Sequence, residues 1–451
     1  MVHRTIKSAA TLAAAALISS TGLTLAAEPA TTEPTAQELI EQIKQLQSKV
    51  EQLEARQQAE QKQASADVEE TVRQIVADAE KRSTGLLFAQ TEPSDVPLAG
   101  HEKGKFFLRS EDGAFTLNPF AQFQFRNVTT YTDSLIVGGV DTGSDIDNGF
   151  EMRRMKFGGS GVLFEKFEYK FVWATDRASG DVFLEDATVT YALNDNWSIF
   201  GGQYKDPVHH EELTSSTRQL AAERSLVNEL IGGGVTDRVQ GVGATYATDA
   251  IQVTGTFHDG QESLNTNFRD TPVNASDWGV GGRVEYKISG GDWKPYGDFT
   301  AMGNKDGIFV IGAGGDISGF DDANGIAYTV DAQWENTDGL SLYGALLGYY
   351  TEPHGGAGDS TNDIGALAQV AQMVGEKTEV FGRAGYIDFD DDDEIWEFTL
   401  GANYYLHGHN AKFTADVTYL PEGAPGDSGS GIINSGDEAQ VVGRLQFQLV
   451  L

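Results

Sequence analysis

An antiparallel β-barrel that crosses a membrane is the fold class this sequence predicts, and three observations carry it. Apolar and polar residues alternate over repeated runs of about 9 to 11 residues, the length a tilted strand needs to cross the hydrocarbon. Aromatic residues gather near the ends of those runs, as at Tyr349 and Tyr350, Tyr404 and Tyr405, and Trp293 and Tyr296, where interfacial girdles form. No internal stretch approaches the roughly 18 uninterrupted apolar residues of a spanning helix, a test that a barrel evades because only alternate residues meet lipid.

The N-terminus reads as an export signal. His3, Arg4 and Lys7 start it, a small and apolar run follows from Ala9 to Leu25, and Leu25-Ala26-Ala27 offers a cleavage site before Glu28. Residues 1–27 are assigned to it. Within 28–82, Leu39, Ile43, Leu46, Val50 and Leu53 recur at alternating spacings of four and three, a heptad seam that predicts a coiled-coil helix on the periplasmic side. β-branched residues at a with Leu at d lean toward two strands, whereas the barrel context leans toward three. Residues 83–105 carry Gly, Pro, Ser and Asp and read as a linker.

From 106 to 451 the writing is β. In the run from Ala411 to Tyr419, Ala411, Phe413, Ala415, Val417 and Tyr419 oppose Lys412, Thr414, Asp416 and Thr418. From Trp396 to Leu406, Trp396, Phe398 and Leu400 oppose Glu397, Thr399 and Asn403, and the final run sets Leu445, Phe447 and Leu449 against Arg444, Gln446 and Gln448. Such runs number about 16, in keeping with the even strand counts of single-chain bacterial barrels. A barrel that wide holds water and an inserted loop. The pattern is broken near 206–236, where HHEELTSSTRQLAAER occupies 209–224 and Leu226, Val227 and Leu230 follow with helical spacing. A polar insert of this length between strands marks a functional loop, expected here to fold into the lumen and narrow the pore.

Composition narrows the chemistry. Across 451 residues there is no Cys, so disulfides, thiolate metal sites and a Cys nucleophile are excluded. The net charge of −35 is opposite to a nucleic-acid footprint. The charge is uneven: residues 101–240 hold 14 Lys and Arg against 21 Asp and Glu, while 241–451 hold 9 against 32. Basic residues therefore concentrate in the early strands and the insert. The acidic run Asp388 to Glu394 lacks the glycine and spacing of a calcium loop and reads as solvated. No metal or cofactor site is expected.

One resemblance sharpens the reading. FEMRRMK at 150–156, FEYK at 167–170, LEDA at 184–187, GQYKDP at 202–207, EELTSS at 211–216 and ERS at 223–225 occur in this order. The stretch from Phe150 to Tyr246 resembles the phosphate-selective porin O and P family. The resemblance implies a homotrimer of 16-stranded barrels in the outer membrane of a Gram-negative cell, each with an inward loop and an anion-binding constriction. It places Arg153, Arg154, Lys170 and Asp186 at the constriction and Ser215 and Ser216 on the inserted loop. Arg218 is added as a neighbouring cation, because Glu212 and Thr217 stand where phosphate-selective members flank the serine pair with lysines. Alternation along a strand would turn only one of Arg153 and Arg154 inward unless a bulge intervenes. The last residue, Leu451, departs from the aromatic ending common to outer-membrane barrels, and Phe447 lies on the same face.

The expected function is passive diffusion of small solutes, with inorganic anions such as phosphate or polyphosphate as the implied class and membrane lipid as the surrounding partner. An alternative is a structural tether joining the barrel to the cell wall through residues 37–82. A hydrolase reading rests on His209, His210, Glu211, Glu212 and Ser215, which superficially supply a base and a nucleophile; the chain is not expected to be an enzyme.

Overall fold

The computed structural model describes residues 98–102, 105–134, 136–137, 140–141, 143–176, 179–261, 276–356, 358–391, 393–424 and 438–451, together with Ser48. The signal segment and, apart from Ser48, the coiled-coil segment lie outside the described residues. Two compact units divide the chain, Met1–Pro93 and Ser94–Leu451, and the second is a barrel.

Sixteen strands form its wall. They are β1 (Thr116–Thr132), β2 (Asp145–Leu163), β3 (Phe167–Thr175), β4 (Val182–Ala192), β5 (Trp197–Lys205) and β6 (Arg238–Ala247). Then follow β7 (Ile251–His258), β8 (Trp278–Gly290), β9 (Ile308–Gly319), β10 (Ala323–Glu335) and β11 (Leu340–Pro353). β12 (Thr361–Met373), β13 (Thr378–Asp388), β14 (Ile395–Tyr405), β15 (Ala411–Leu420) and β16 (Gln440–Val450) complete it. Each strand pairs antiparallel with the next, and β16 pairs back onto β1 from Gln440↔Thr132 to Val450↔Gln122. Closure leaves no strand edge to satisfy in hydrocarbon.

The alternation read from the sequence sets which way each side chain points. On β14 Trp396, Phe398 and Leu400 are exposed outward, while Glu397, Thr399 and Asn403 are buried in the lumen. On β16 Leu445 and Leu449 face out, and Arg444, Gln446 and Gln448 face in. Among the described residues no helix is long and apolar enough to cross a membrane, as the strand solution requires.

Two expectations are corrected. The linker was to end at 105, yet Ala99–Glu102 and Lys105–Arg109 pair as a hairpin whose second strand joins the start of β1. The β structure thus starts inside the expected linker, and the wall starts at Thr116. Tyr296 was read with Trp293 as girdle. It lies instead in a short 3-10 turn, Lys294–Gly297, in the connection from β8 to β9. There it is buried, with its ring stacked 4.0 Å from that of His210. The aromatic signal could not separate the two cases, since a tyrosine suits both an interface and a lumen with a polar partner.

Leu400 is 71% exposed on the outer face near the middle of β14. Leu400→Arg is expected to cost about 2–4 kcal/mol of barrel stability, read from the denaturant midpoint of the folded band in lipid. An unchanged midpoint would mean that this face does not meet hydrocarbon.

Candidate functional site

Residues 206–237 leave β5, cross the lumen and return to β6. Three short helices punctuate them: α1 (His210–Leu213), α2 (Leu226–Ile231) and α3 (Gly233–Thr236). Ser225 caps α2 by accepting the Asn228 N–H at 3.1 Å. Most of the loop is buried despite its polar composition.

Its apolar residues choose the wall it packs on. Leu220, Ala221, Leu226, Val227 and Ile231 join a cluster with Tyr343 and Leu347 of β11, Leu367 of β12 and Phe381 and Ile387 of β13. Side chains of the same late wall satisfy the loop backbone. Asp416 accepts the Ala222 N–H at 2.8 Å and Glu397 the Leu226 N–H at 2.7 Å. Asn403, Lys412 and Arg383 donate to the carbonyls of Leu220, Gln219 and Glu223 at 3.0, 2.8 and 2.9 Å. A loop crossing a lumen must find such partners, because buried main-chain groups left unpaired are costly. Glu379, Glu397 and Asp416 are thereby covered or consumed, and the open channel is displaced toward β1 to β6.

That opposite wall carries the bases. At β2 the register with β1 slips between Gln124↔Arg154 and Phe125↔Met152, so Arg153 is the extra residue of a bulge. At β4 the register with β3 slips between Val172↔Asp186 and Trp173↔Leu184, making Glu185 the extra residue. A bulge breaks the strict alternation of facing. It accordingly brings two neighbours, Arg153 with Arg154 and Glu185 with Asp186, to the lumen side.

Loop and wall meet through charge. Glu223 is clamped by Arg126, Arg153 and Arg154, with Arg153 Nη2 and Arg154 Nη2 each 2.9 Å from its Oε2. Burial pushes this carboxyl up, and the three guanidiniums outweigh it and hold it well below the usual carboxylate range. Glu212 is reached by Lys205 at 2.7 Å and Arg224 at 3.1 Å, and its pKa falls to about 2, the effect of burial being overcome by those two cations. Arg238 bridges Asp186, Asp237 and Glu185 at 2.8, 2.8 and 3.1 Å, and Lys156 meets Glu185 as well.

Between them runs a passage of about 610 Å³. Arg153, Arg154, Lys156, Lys170, Lys205, Arg224 and Arg238 line it with Glu185, Asp186, Glu212, Glu229 and Asp237, a surplus of bases among the described residues. A second space of about 800 Å³ opens toward the start of β1, lined by Lys105, Arg109, Lys170, Arg218, Lys294 and His409 with Glu102 as its carboxylate.

Of the residues singled out in the sequence, Arg153, Arg154, Lys170, Asp186, Ser215 and Ser216 all line the passage. Lys170 and Asp186 pair with each other at 2.7 Å. Ser216 Oγ accepts from Gln122 Nε2 at 3.1 Å, while Ser215 lies within 3.0 Å of Thr217 Oγ1. Arg218 stands apart, in the wider space with Asp298 at 3.1 Å. Lys156, Glu185, Lys205, Arg224, Glu229 and Arg238 line the same passage, with Glu223 buried among the guanidiniums, and were not singled out as site residues. Their signal was present only as charges scattered over β2 to β6, which pairing brings together. The hydrolase-like group is not assembled. His210 Nε2 is 2.8 Å from Gln333 Oε1, Glu211 accepts from Ser225 N and Oγ, and Ser215 is on Thr217.

Glu223→Gln removes the partner of three guanidiniums and leaves buried charge uncompensated, a change that costs about 3–5 kcal/mol. A lower unfolding midpoint together with a stronger anion preference is expected, measured on one preparation by denaturant titration and bilayer recording.

Residues 130–284 match the family model described as phosphate-selective porin O and P. No curated protein matches the chain by sequence. Among solved structures, an anion-selective porin from Comamonas acidovorans aligns at 14% identity over 75% of this chain and 100% of that one, with a TM-score of 0.53. OmpF of Salmonella typhi, in complex with daunomycin, aligns at 14% identity over 74% and 98%, with a TM-score of 0.50. Pseudomonas putida OprB aligns at 11% identity over 74% and 94%, also at 0.50. Those structures share the fold, and the segment similar to the phosphate-selective porin O and P family spans both bulges and the whole inserted loop.

Proposed function

We propose that this porin passes small inorganic anions, phosphate and polyphosphate among them, by passive diffusion. The observation that carries the reading is the placement of the loop. A chain with a net charge of −35 nevertheless presents a passage and an adjoining space in which Lys and Arg outnumber Asp and Glu. Rings of basic side chains select anions at close range, and the planar fork of Arg suits an oxyanion. The acidic run that starts at Asp388, the last residue of β13, contributes no residue to the passage lining. A Debye length of about 8 Å limits the reach of charges outside it.

The long connections, among them 133–144, 206–237, 259–277 and 421–439, share one end of the barrel with 176–181 and 354–360. Five turns of three or four residues share the other with 291–307. Short turns face the periplasm in barrels of this type, so solute enters past the loop and leaves through the space lined by Lys105, Arg109 and Lys294. The resemblance to the family supports a homotrimer in the outer membrane of a Gram-negative cell, which cross-linking in detergent tests directly. The cell-wall tether, resting on residues 37–82, gains no support.

Reversal potentials across a salt gradient in planar bilayers decide selectivity: a shift toward the anion equilibrium potential is expected, and a shift toward cations sinks the anion reading while leaving the porin. Phosphate should also reduce single-channel chloride current.

Glu229 gives this selectivity a pH dependence. Burial pushes its carboxyl up to about 7, with Glu212 and Glu223 acting in the same sense against Arg224. A raised pKa keeps the group neutral below pH 7 and charged above it. Lowering the pH from 8 to 5 therefore removes a negative charge from the passage and strengthens anion preference. Glu229→Gln should flatten that part of the profile at the low-pH value; a profile identical to that of the unaltered protein would exclude Glu229 as its source.

A further inference from the structure

Outside the passage, three ionisable side chains from distant parts of the chain converge at the root of the loop. Asp206 follows β5, His258 closes β7 and Asp316 lies on β9. They are buried, and their ligand atoms all lie within 4.8 Å of one another. His258 Nε2 is 2.9 Å from Asp316 Oδ2 and 3.8 Å from Asp206 Oδ1. Both oxygens of Asp206, Oδ2 of Asp316 and Nε2 of His258 lack a hydrogen-bond partner among the described residues. A carboxylate that is 1% exposed with neither oxygen satisfied is costly unless something else completes it.

The wall is shaped to let the three meet. β6 and β8 run between the strands that carry them and offer glycines there. Gly281 pairs with Asp316 and Thr256. A Cβ on Gly281 would lie 2.6 Å from Asp206 Oδ1, 2.9 Å from Asp316 Oδ2 and 3.1 Å from Thr256 Oγ1. Three oxygens, two from strands and one from the root of the loop, thus face one vacant Cβ position. The support behind them is ordered as well: Ser318 Oγ donates to Asp316 Oδ1 at 2.7 Å, as does Gln261 Nε2. Both hold one oxygen of that carboxylate and leave Oδ2 turned inward.

We propose that Asp206, His258 and Asp316 bind a divalent transition-metal ion, with Thr256 Oγ1 beside the fourth position. One imidazole and two carboxylates without a thiolate suit zinc or manganese. Zinc bonds of about 2.0–2.2 Å space tetrahedral donors by about 3.4 Å, between the two distances found. His258 Nδ1 accepts the Gly260 N–H at 3.0 Å, so the neutral ring carries its proton on Nε2. Binding displaces that proton, the ring takes one up on Nδ1, and the Gly260 amide turns aside. Gly260 has φ +92°, a region that glycine enters freely. The bound ion ties the root of the constriction loop to β7 and β9, and this role is independent of solute selectivity.

The test uses the full chain in detergent, stripped with EDTA, dialysed against zinc chloride alone, desalted and analysed for metal. Gel mobility before and after heating verifies that each protein is folded. The unaltered protein is expected to retain about one zinc per chain, and zinc to raise the temperature at which its folded band is lost. Asp316→Asn and His258→Asn should reduce retention by at least about tenfold. Gly281→Ala keeps every ligand, fills the cradle with a methyl group and should do the same. No retention by the folded, unaltered protein overturns the proposal on its own, whatever the variants do. Equal retention by a folded variant overturns it too.

Discussion

Two carboxylates on the late wall, Glu397 and Asp416, receive main-chain N–H groups of the inserted loop, and much of the lumen's arrangement follows from that. A loop can cross a lumen only if its backbone finds partners, and here the partners are acidic side chains that would otherwise face the channel. Apolar packing of Leu226, Val227 and Ile231 on Leu347, Leu367 and Phe381 puts the loop against β11 to β13. The same docking covers Glu397 and Asp416 and leaves the open passage along β1 to β6. The charge that lines the passage is thus a consequence of where a loop docks, as much as of which residues the chain contains.

The bulges at Arg153 and Glu185 perform a complementary task on the opposite wall. Strict alternation would give β2 one inward arginine and one directed at lipid, where a charge is costly. One extra residue turns both inward, and Glu223 then holds them in one network with Arg126. On β4 the second bulge supplies Glu185 and Asp186 as a matching pair for Lys156, Lys170 and Arg238. These ion pairs fix long side chains that would otherwise sweep the passage.

The barrel was legible in the sequence because lipid imposes a rule at every second residue, and a rule applied sixteen times shows through any single irregularity. For Arg153-Arg154 the sequence left open one inward arginine or a bulge, and the register slip at Arg153 decides for the bulge. The site was less legible, for a physical reason. Glu212 looked like a departure that spoils an anion filter, yet Lys205 and Arg224 neutralise it, and neither is near enough in sequence to signal the pairing. The acidic excess of residues 241–451 does not by itself describe the channel, because a good part of it belongs to exposed connections or lies beneath the loop. Tyr296 looked like girdle because aromatic residues near strand ends carry no sign of which way they turn. Asp206, His258 and Asp316 left no motif at all, being brought together only by the register of five strands over glycines.

The pairing of nearly every cation also bears on mechanism. A bare cluster of guanidiniums would hold an oxyanion tightly, and a pore so equipped would bind its solute more than pass it. Conduction needs wells deep enough to admit an ion and shallow enough to release it. When Lys170 rests on Asp186 and Arg238 on three carboxylates, an incoming anion must compete for donors already engaged and gains only the difference. Lys170 keeps a half-exposed side chain at the junction of the passage and the wider space. It can therefore exchange its carboxylate for a solute oxygen without any movement of the wall. Under the proposed anion reading, the balance of seven bases against five acids in the passage corresponds to a weak, graded preference spread over its length, which is the condition for rapid transit.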